Sequence, residues 1–111
     1  MLNLTPHNIT VDVNGVVHEF PATGVVARVS TSSVEAGSRF NIPVIKTLYG
    51  EVEGIGKPED HPEGVLVSAL VLGRLGQEWS DVAFAPATGP NDNCIRDSKG
   101  HVVAVTKLVT V

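Results

Sequence analysis

A single cysteine, Cys94, is present, which excludes an intrachain disulfide and fits a reducing compartment. Aromatics are scarce as well, at 5%, with one tryptophan and one tyrosine. Basic residues number 8 against 12 acidic ones, for a formal net charge of −4. The eight cations (Arg28, Arg39, Lys46, Lys57, Arg74, Arg96, Lys99 and Lys107) are scattered along the chain. A phosphate backbone is held by clustered Lys and Arg, and single strands by stacked aromatics, so nucleic acid is not an expected partner.

No apolar run approaches the roughly 20 residues of a membrane-spanning helix. The start, Met-Leu-Asn-Leu-Thr-Pro-His, has neither a basic region nor an apolar one of the secretory kind. The expectation is a cytoplasmic protein with no membrane partner. The four histidines (His7, His18, His61, His101) are far apart, and neither Cys-x-x-Cys nor His-x-x-x-His occurs, so no metal site is expected. Gly54-x-Gly56 and Gly73-x-x-Gly76 lack the Gly-Lys-Ser/Thr of a phosphate loop, and there is no Gly-x-Ser-x-Gly elbow. No cofactor is expected and no catalytic residue is assigned.

What is present is alternation and turn chemistry. Ile9–Val13 and Val16–Phe20 flank Asn14-Gly15, a two-residue type I′ hairpin signal, since both central residues need φ > 0. The register sets Val13 against Val16, Val11 against His18 and Ile9 against Phe20. One face then carries Ile9, Val11, Val13, Val16 and Phe20, with His18 its one polar member. Val25–Thr31 reads as a β-branched strand carrying Arg28, and Ser32–Ser38, polar and punctuated, as a loop. Asn41–Glu53 reads as a long strand or bent pair, with a bulge or close approach at Gly50. Gly54–Gly64, with two prolines and three glycines, reads as a mobile loop.

Val65–Gly76 divides into a strand, Val65–Val67, an N-cap at Ser68, a helix over Ala69–Leu75 and a terminator at Gly76. Trp79 is expected to pack over the helix end. Asp81–Ala85 is a short strand. Cys94–Asp97 and His101–Val111 form a second hairpin around Ser98-Lys99-Gly100. The expected fold is mainly β, a small barrel or sandwich of six to eight strands with one short helix, in a single domain over residues 1–111. Open edge strands would favour a homo-oligomer.

Between the last two strand regions lies Pro86–Gly100, the longest stretch without an apolar period, and loops so placed carry function. Its Asn and Asp residues suit Asx turns. Its candidate ligand contacts are Thr88, Asn91 and Asn93 for hydrogen bonds and Arg96 for negative charge. Arg28 is a second anion contact, Tyr49 a stacking surface, and His7 with Asn8, at the bend made by Pro6, the opposite wall. A Cys94–His101 dyad is the one nucleophile that the second hairpin could assemble.

The opening Asn3-Leu4-Thr5-Pro6-His7, the central Tyr49-Gly50-Glu51-Val52-Glu53-Gly54 and Val67-Ser68-Ala69-Leu70-Val71, and the closing Gly89-Pro90 with Arg96-Asp97-x-x-Gly100-x-Val102-Val103 carry a resemblance along nearly the whole chain. The chain resembles a family of small uncharacterised proteins from phages, prophages and bacteria. The resemblance implies a context, and by analogy a binding role towards a host protein or a nucleotide signal of host defence. The leading expectation is a non-enzymatic binding protein for a small polar, anionic or nucleotide-like ligand. The alternatives are a module that inhibits a host protein through a sheet edge, and a hydrolase using Cys94 or a His–carboxylate pair.

Overall fold

The computed structural model describes all residues, 1–111. Strands make up 46% of the chain and helical turns 9%, so the protein is mainly β with one short α-helix. In chain order the strands are β1 (Leu2–Asn3), β2 (Ile9–Val13), β3 (Val16–Phe20), β4 (Arg28–Arg39) and β5 (Ile42–Glu53), followed by β6 (Val65–Leu66). Helix α1 (Ala69–Leu72) comes next, then β7 (Ala83–Pro86), β8 (Ile95–Arg96), β9 (Val102–Ala104) and β10 (Leu108–Thr110).

The centre is a four-stranded sheet in the order β1-β6-β7-β10, with β6 parallel to both β1 and β7 and β10 antiparallel to β7. Two parallel neighbours need a crossover, and α1 lies within it, as the Val65–Gly76 pattern requires. Val65, Leu66 and Val67 are all fully buried because the sheet is covered on both faces. Val65 and Val67 join Leu4, Ala27, Ile55, Val71, Leu72, Trp79, Ala83 and Ala85 in the larger core cluster. Leu66, pointing the other way, joins Ile9, Val11 and Val105 in the smaller one. Alternation along one strand thus feeds two cores.

Hairpin β2–β3 has the register read from the sequence, Val13 opposite Val16 through Ile9 opposite Phe20, with Asn14 and Gly15 at φ 52° and 89°. Its apolar face is corrected. Ile9 and Val11 are buried and Phe20 half-buried, whereas Val13, Val16 and His18 are exposed. Only the Ile9–Val11 half meets the sheet, where Asp12 N–H donates to Val105 O at 2.8 Å and Val105 N–H donates to Thr10 O at 2.9 Å.

The expected closure and strand count are corrected too. β1 and β10 are the unjoined edges of the central sheet, so no barrel closes. There are ten strands instead of six to eight. The chain from His101 to Val111 is split, β9 pairing with β8 and β10 with β7. The Leu2–Asn3 pairing is parallel and non-local, and no local pattern announces it. Helix α1 ends at Gly73, earlier than expected, with Ser68 Oγ accepting from Val71 N–H at 3.3 Å at its start. Trp79 is buried in the cluster that contains Val71 and Leu72. The Gly54–Gly64 loop, expected to be mobile, is tied by Lys57 N–H to Asp60 Oδ2 at 3.0 Å and by the His61 ring to Ile55 O.

The largest departure is the Ser32–Ser38 segment, which is not a loop. It is the outer part of a two-stranded ribbon, β4–β5, of 12 residues a side. The ribbon turns at Phe40 and Asn41, both with positive φ (53° and 63°). None of its strand residues is buried, and Val29 and Val52 at its base are its contacts with the larger core. The radius of gyration is 16.6 Å, against about 13 Å for a compact chain of this length. The ribbon is an arm.

Candidate functional site

A polar knot at the N-terminus shapes the site. Asn3 is 1% exposed, and its amide is fully satisfied. Nδ2 donates to His7 O at 2.9 Å and to Phe20 O at 2.7 Å. Oδ1 accepts from Thr5 N–H at 2.9 Å and from Thr5 Oγ1 at 2.7 Å. Leu4 between them is buried, donating its N–H to Leu66 O and accepting from Ala27 N–H. Pro6 then bends the chain, and His7 and Asn8 project from a backbone that Asn3 holds in place. Asn8 Oδ1 accepts from Ala22 N–H at 2.8 Å.

Facing that bend is a cavity of about 410 Å³. One side is the bend itself with His7, Asn8 and Thr10. The other is Ser68 and Ala69 at the start of α1, Pro86 and Thr88 from the end of β7, and Val102–Val105. Ile9, Ala104 and Val105, all buried, give it an apolar floor. The His7 ring, the Asn8 amide nitrogen and the Thr10 and Thr88 hydroxyls are engaged in none of the intramolecular side-chain hydrogen bonds. No Lys, Arg, Asp or Glu lines the cavity. It offers donors and acceptors without formal charge over an aliphatic floor, within the size range of small-molecule sites.

Of the residues singled out in the sequence, His7, Asn8 and Thr88 therefore share this cavity, and the other five do not line it. Asn91 lies in the turn closed by Asp92 N–H to Gly89 O at 3.1 Å and Gly89 N–H to Asp92 Oδ2 at 2.7 Å. Asn93 adopts positive φ, 56°, the turn-forming role its residue type suits. Arg96 Nη1 donates to Gly100 O at 2.8 Å across its own hairpin. Asp97 Oδ1 accepts from Lys99 N–H and His101 N–H. Arg28 is opposite Glu53 at the base of the arm. Tyr49, on the arm, lies under the Arg74 guanidinium at 4.1 Å and lines a separate cavity of about 370 Å³.

Cys94 and His101 have different partners. The Cys94 thiol donates to Ala87 O at 3.1 Å, while His101 Nδ1 is 3.7 Å from Asp97 Oδ2, with a largely exposed side chain. No three His, Cys, Asp or Glu side chains converge as a metal site would require. The longest helix has four residues, and no helix is long and apolar enough to cross a membrane.

Sequence reasoning singled out neither Asn3 nor Thr5, although a buried Asn-x-Thr before a proline, in an apolar stretch, was the available signal. It identified Ser68 as a helix cap but not as a cavity residue. Set beside family models, curated proteins and solved structures, the chain has no match in any of the three.

Proposed function

We propose that this is a phage-type, non-enzymatic protein that binds a small, polar, nucleoside- or nucleotide-like ligand in the cavity facing the His7–Asn8 bend. One observation supports it above all. Unengaged polar groups of three separate segments (His7 and Asn8, Thr10, Thr88) converge on a space of about 410 Å³ with an apolar floor. A nucleobase has that character, with hydrogen-bonding edges and apolar faces. The uncharged lining argues that any phosphate on the ligand lies towards solvent. The context, capture of a signal in a host cytoplasm, rests on the resemblance of the Asn3–His7 and Arg96–Val103 segments to phage and prophage proteins. In this reading the fold is sandwich-like, with the central sheet packed between the β2–β3 hairpin and the α1 layer.

The test is a thermal-shift and native mass-spectrometry panel of nucleosides, mononucleotides and cyclic dinucleotides. A ligand present at about 100 times its Kd raises stability by about 2.7 kcal/mol. At this chain length that is a shift of roughly 10 °C or more. Ala69→Trp, placing a bulky ring in the cavity from an exposed helix position, should abolish the shift. A shift that survives Ala69→Trp places the ligand elsewhere, and a flat response across the panel refutes the ligand class.

A further inference from the structure

The arm has no covering layer in its own chain. Its strands run 12 residues, about 40 Å at 3.4 Å per residue, and a two-stranded ribbon is marginal in water alone. Yet it bears Phe40 at 95% exposure, Ile45 at 64%, Ile42 at 62% and Tyr49 at 44%.

Cross-strand partners share a face, so the register sorts the arm's side chains. Glu35 opposite Ile45, Ser33 opposite Thr47 and Thr31 opposite Tyr49 make one face. Val34 opposite Lys46, Ser32 opposite Leu48 and Arg39 opposite Ile42 make the other. The second face would bring like cations together if two copies packed on it. The first carries a single formal charge, Glu35, and at its inner end the Arg74 guanidinium stacked on Tyr49. Arg74 and Glu35 have no ion-pair partner in their own chain, whose one close charge pair is His101–Asp97.

We propose that this face of the arm is a two-fold clasp between two copies of the chain, packed antiparallel about the Ser33–Thr47 pair. The small side chains at that level let the ribbons approach. Two residues outward, the Glu35–Ile45 level of one copy then lies over the Thr31–Tyr49 level of its partner. Ile45 packs on Tyr49, and Glu35 meets the partner's Arg74, twice by symmetry. The same placement sets the tip, about seven residues beyond the axis, beside the partner's arm base. There the cavity of about 370 Å³ is lined by Val52, Ile55, Leu75 and Trp79, and it can take Phe40. One face of the ribbon offers about 400 Å² at a width of about 10 Å. Phe40 adds roughly 150–200 Å². That is close to the roughly 600 Å² per partner at the lower limit of specific interfaces, so the dimer is reversible.

Sedimentation equilibrium from about 1 to 100 µM tests this. Wild type should move from the 11.7 kDa chain mass towards twice that value with rising concentration. Ile45→Asp should weaken association at least tenfold, as should Glu35→Arg and Arg74→Glu singly, with the melting of dilute protein unchanged. The double variant Glu35→Arg/Arg74→Glu should recover association. A wild type that stays at the chain mass at about 100 µM overturns the clasp and leaves the arm to a partner of another kind. Dimers indifferent to all three single variants overturn it in favour of another surface. Dimers broken by Ile45→Asp but not recovered by the double reversal overturn the antiparallel register.

Discussion

Replacing Asn3 with alanine tests the knot that shapes the cavity wall. The side chain is 1% exposed and makes four hydrogen bonds, two given and two accepted. Each contributes about 1 kcal/mol net, and a group left buried without a partner costs about 1–3 kcal/mol. The His7 and Phe20 carbonyls lie at the edge of the buried region and can recover water, whereas the buried Thr5 N–H cannot easily do so. Asn3→Ala should therefore cost about 2–4 kcal/mol, and at about 4–8 °C per kcal/mol lower the midpoint by some 10–25 °C. Asn3→Asp keeps the acceptor to Thr5 but turns a carboxylate oxygen towards two carbonyls. That repulsion favours the protonated form, so the pKa of the introduced carboxyl in the folded state is raised above about 3.9, the unfolded value. The Asn3→Asp variant should be close to its best at pH below about 4 and lose stability as pH rises through the raised folded value. Urea unfolding at several pH values reads both effects. A cost under about 1 kcal/mol for both variants at neutral pH would refute the reasoning.

Leu66→Ala, at a fully buried position of the central strand, should cost about 2–5 kcal/mol in equilibrium unfolding. Gly50→Val should loosen the arm without unfolding the body. A Cβ there would collide with Ser30 Oγ, and hydrogen exchange of β4 and β5 amides should accelerate about tenfold per 1.4 kcal/mol of strain while exchange at Val65–Val67 is unchanged. Ser30→Gly in the same chain should relieve the effect. Because no cation lines the cavity, a nucleoside and its monophosphate should differ by less than about tenfold in Kd by calorimetry. A monophosphate bound about a hundredfold more tightly would show that a cation reaches the site.

Legibility in the sequence followed locality. The β2–β3 register was plain from Asn14-Gly15, because a type I′ turn fixes pairing within a few residues. The side that is buried was not plain, since it depends on Val105 and Leu66, distant in sequence. The split at Ser68 was readable from an N-cap after a β-branched run. The outer part of β4 was invisible because Ser, Glu, Gly and Ala there have no strand preference of their own. Pairing with β5 extends them. In the Pro86–Gly100 loop, Asn91, Asn93, Arg96 and Asp97 form or adjoin local turns, the bland role their residue types suggest. Thr88 and the His7–Asn8 bend meet at one cavity only because β1 pairs with β6 and β6 with β7, a non-local arrangement.

Amide and methyl chemical-shift mapping during titration with the best ligand of the nucleoside panel tests the central claim most directly. Perturbations should concentrate on His7, Asn8, Ala69, Thr88 and Val103, with Tyr49, Arg28 and Arg96 unmoved. Perturbations centred on Tyr49, Arg74 and Trp79, or none at saturating ligand, would contradict it.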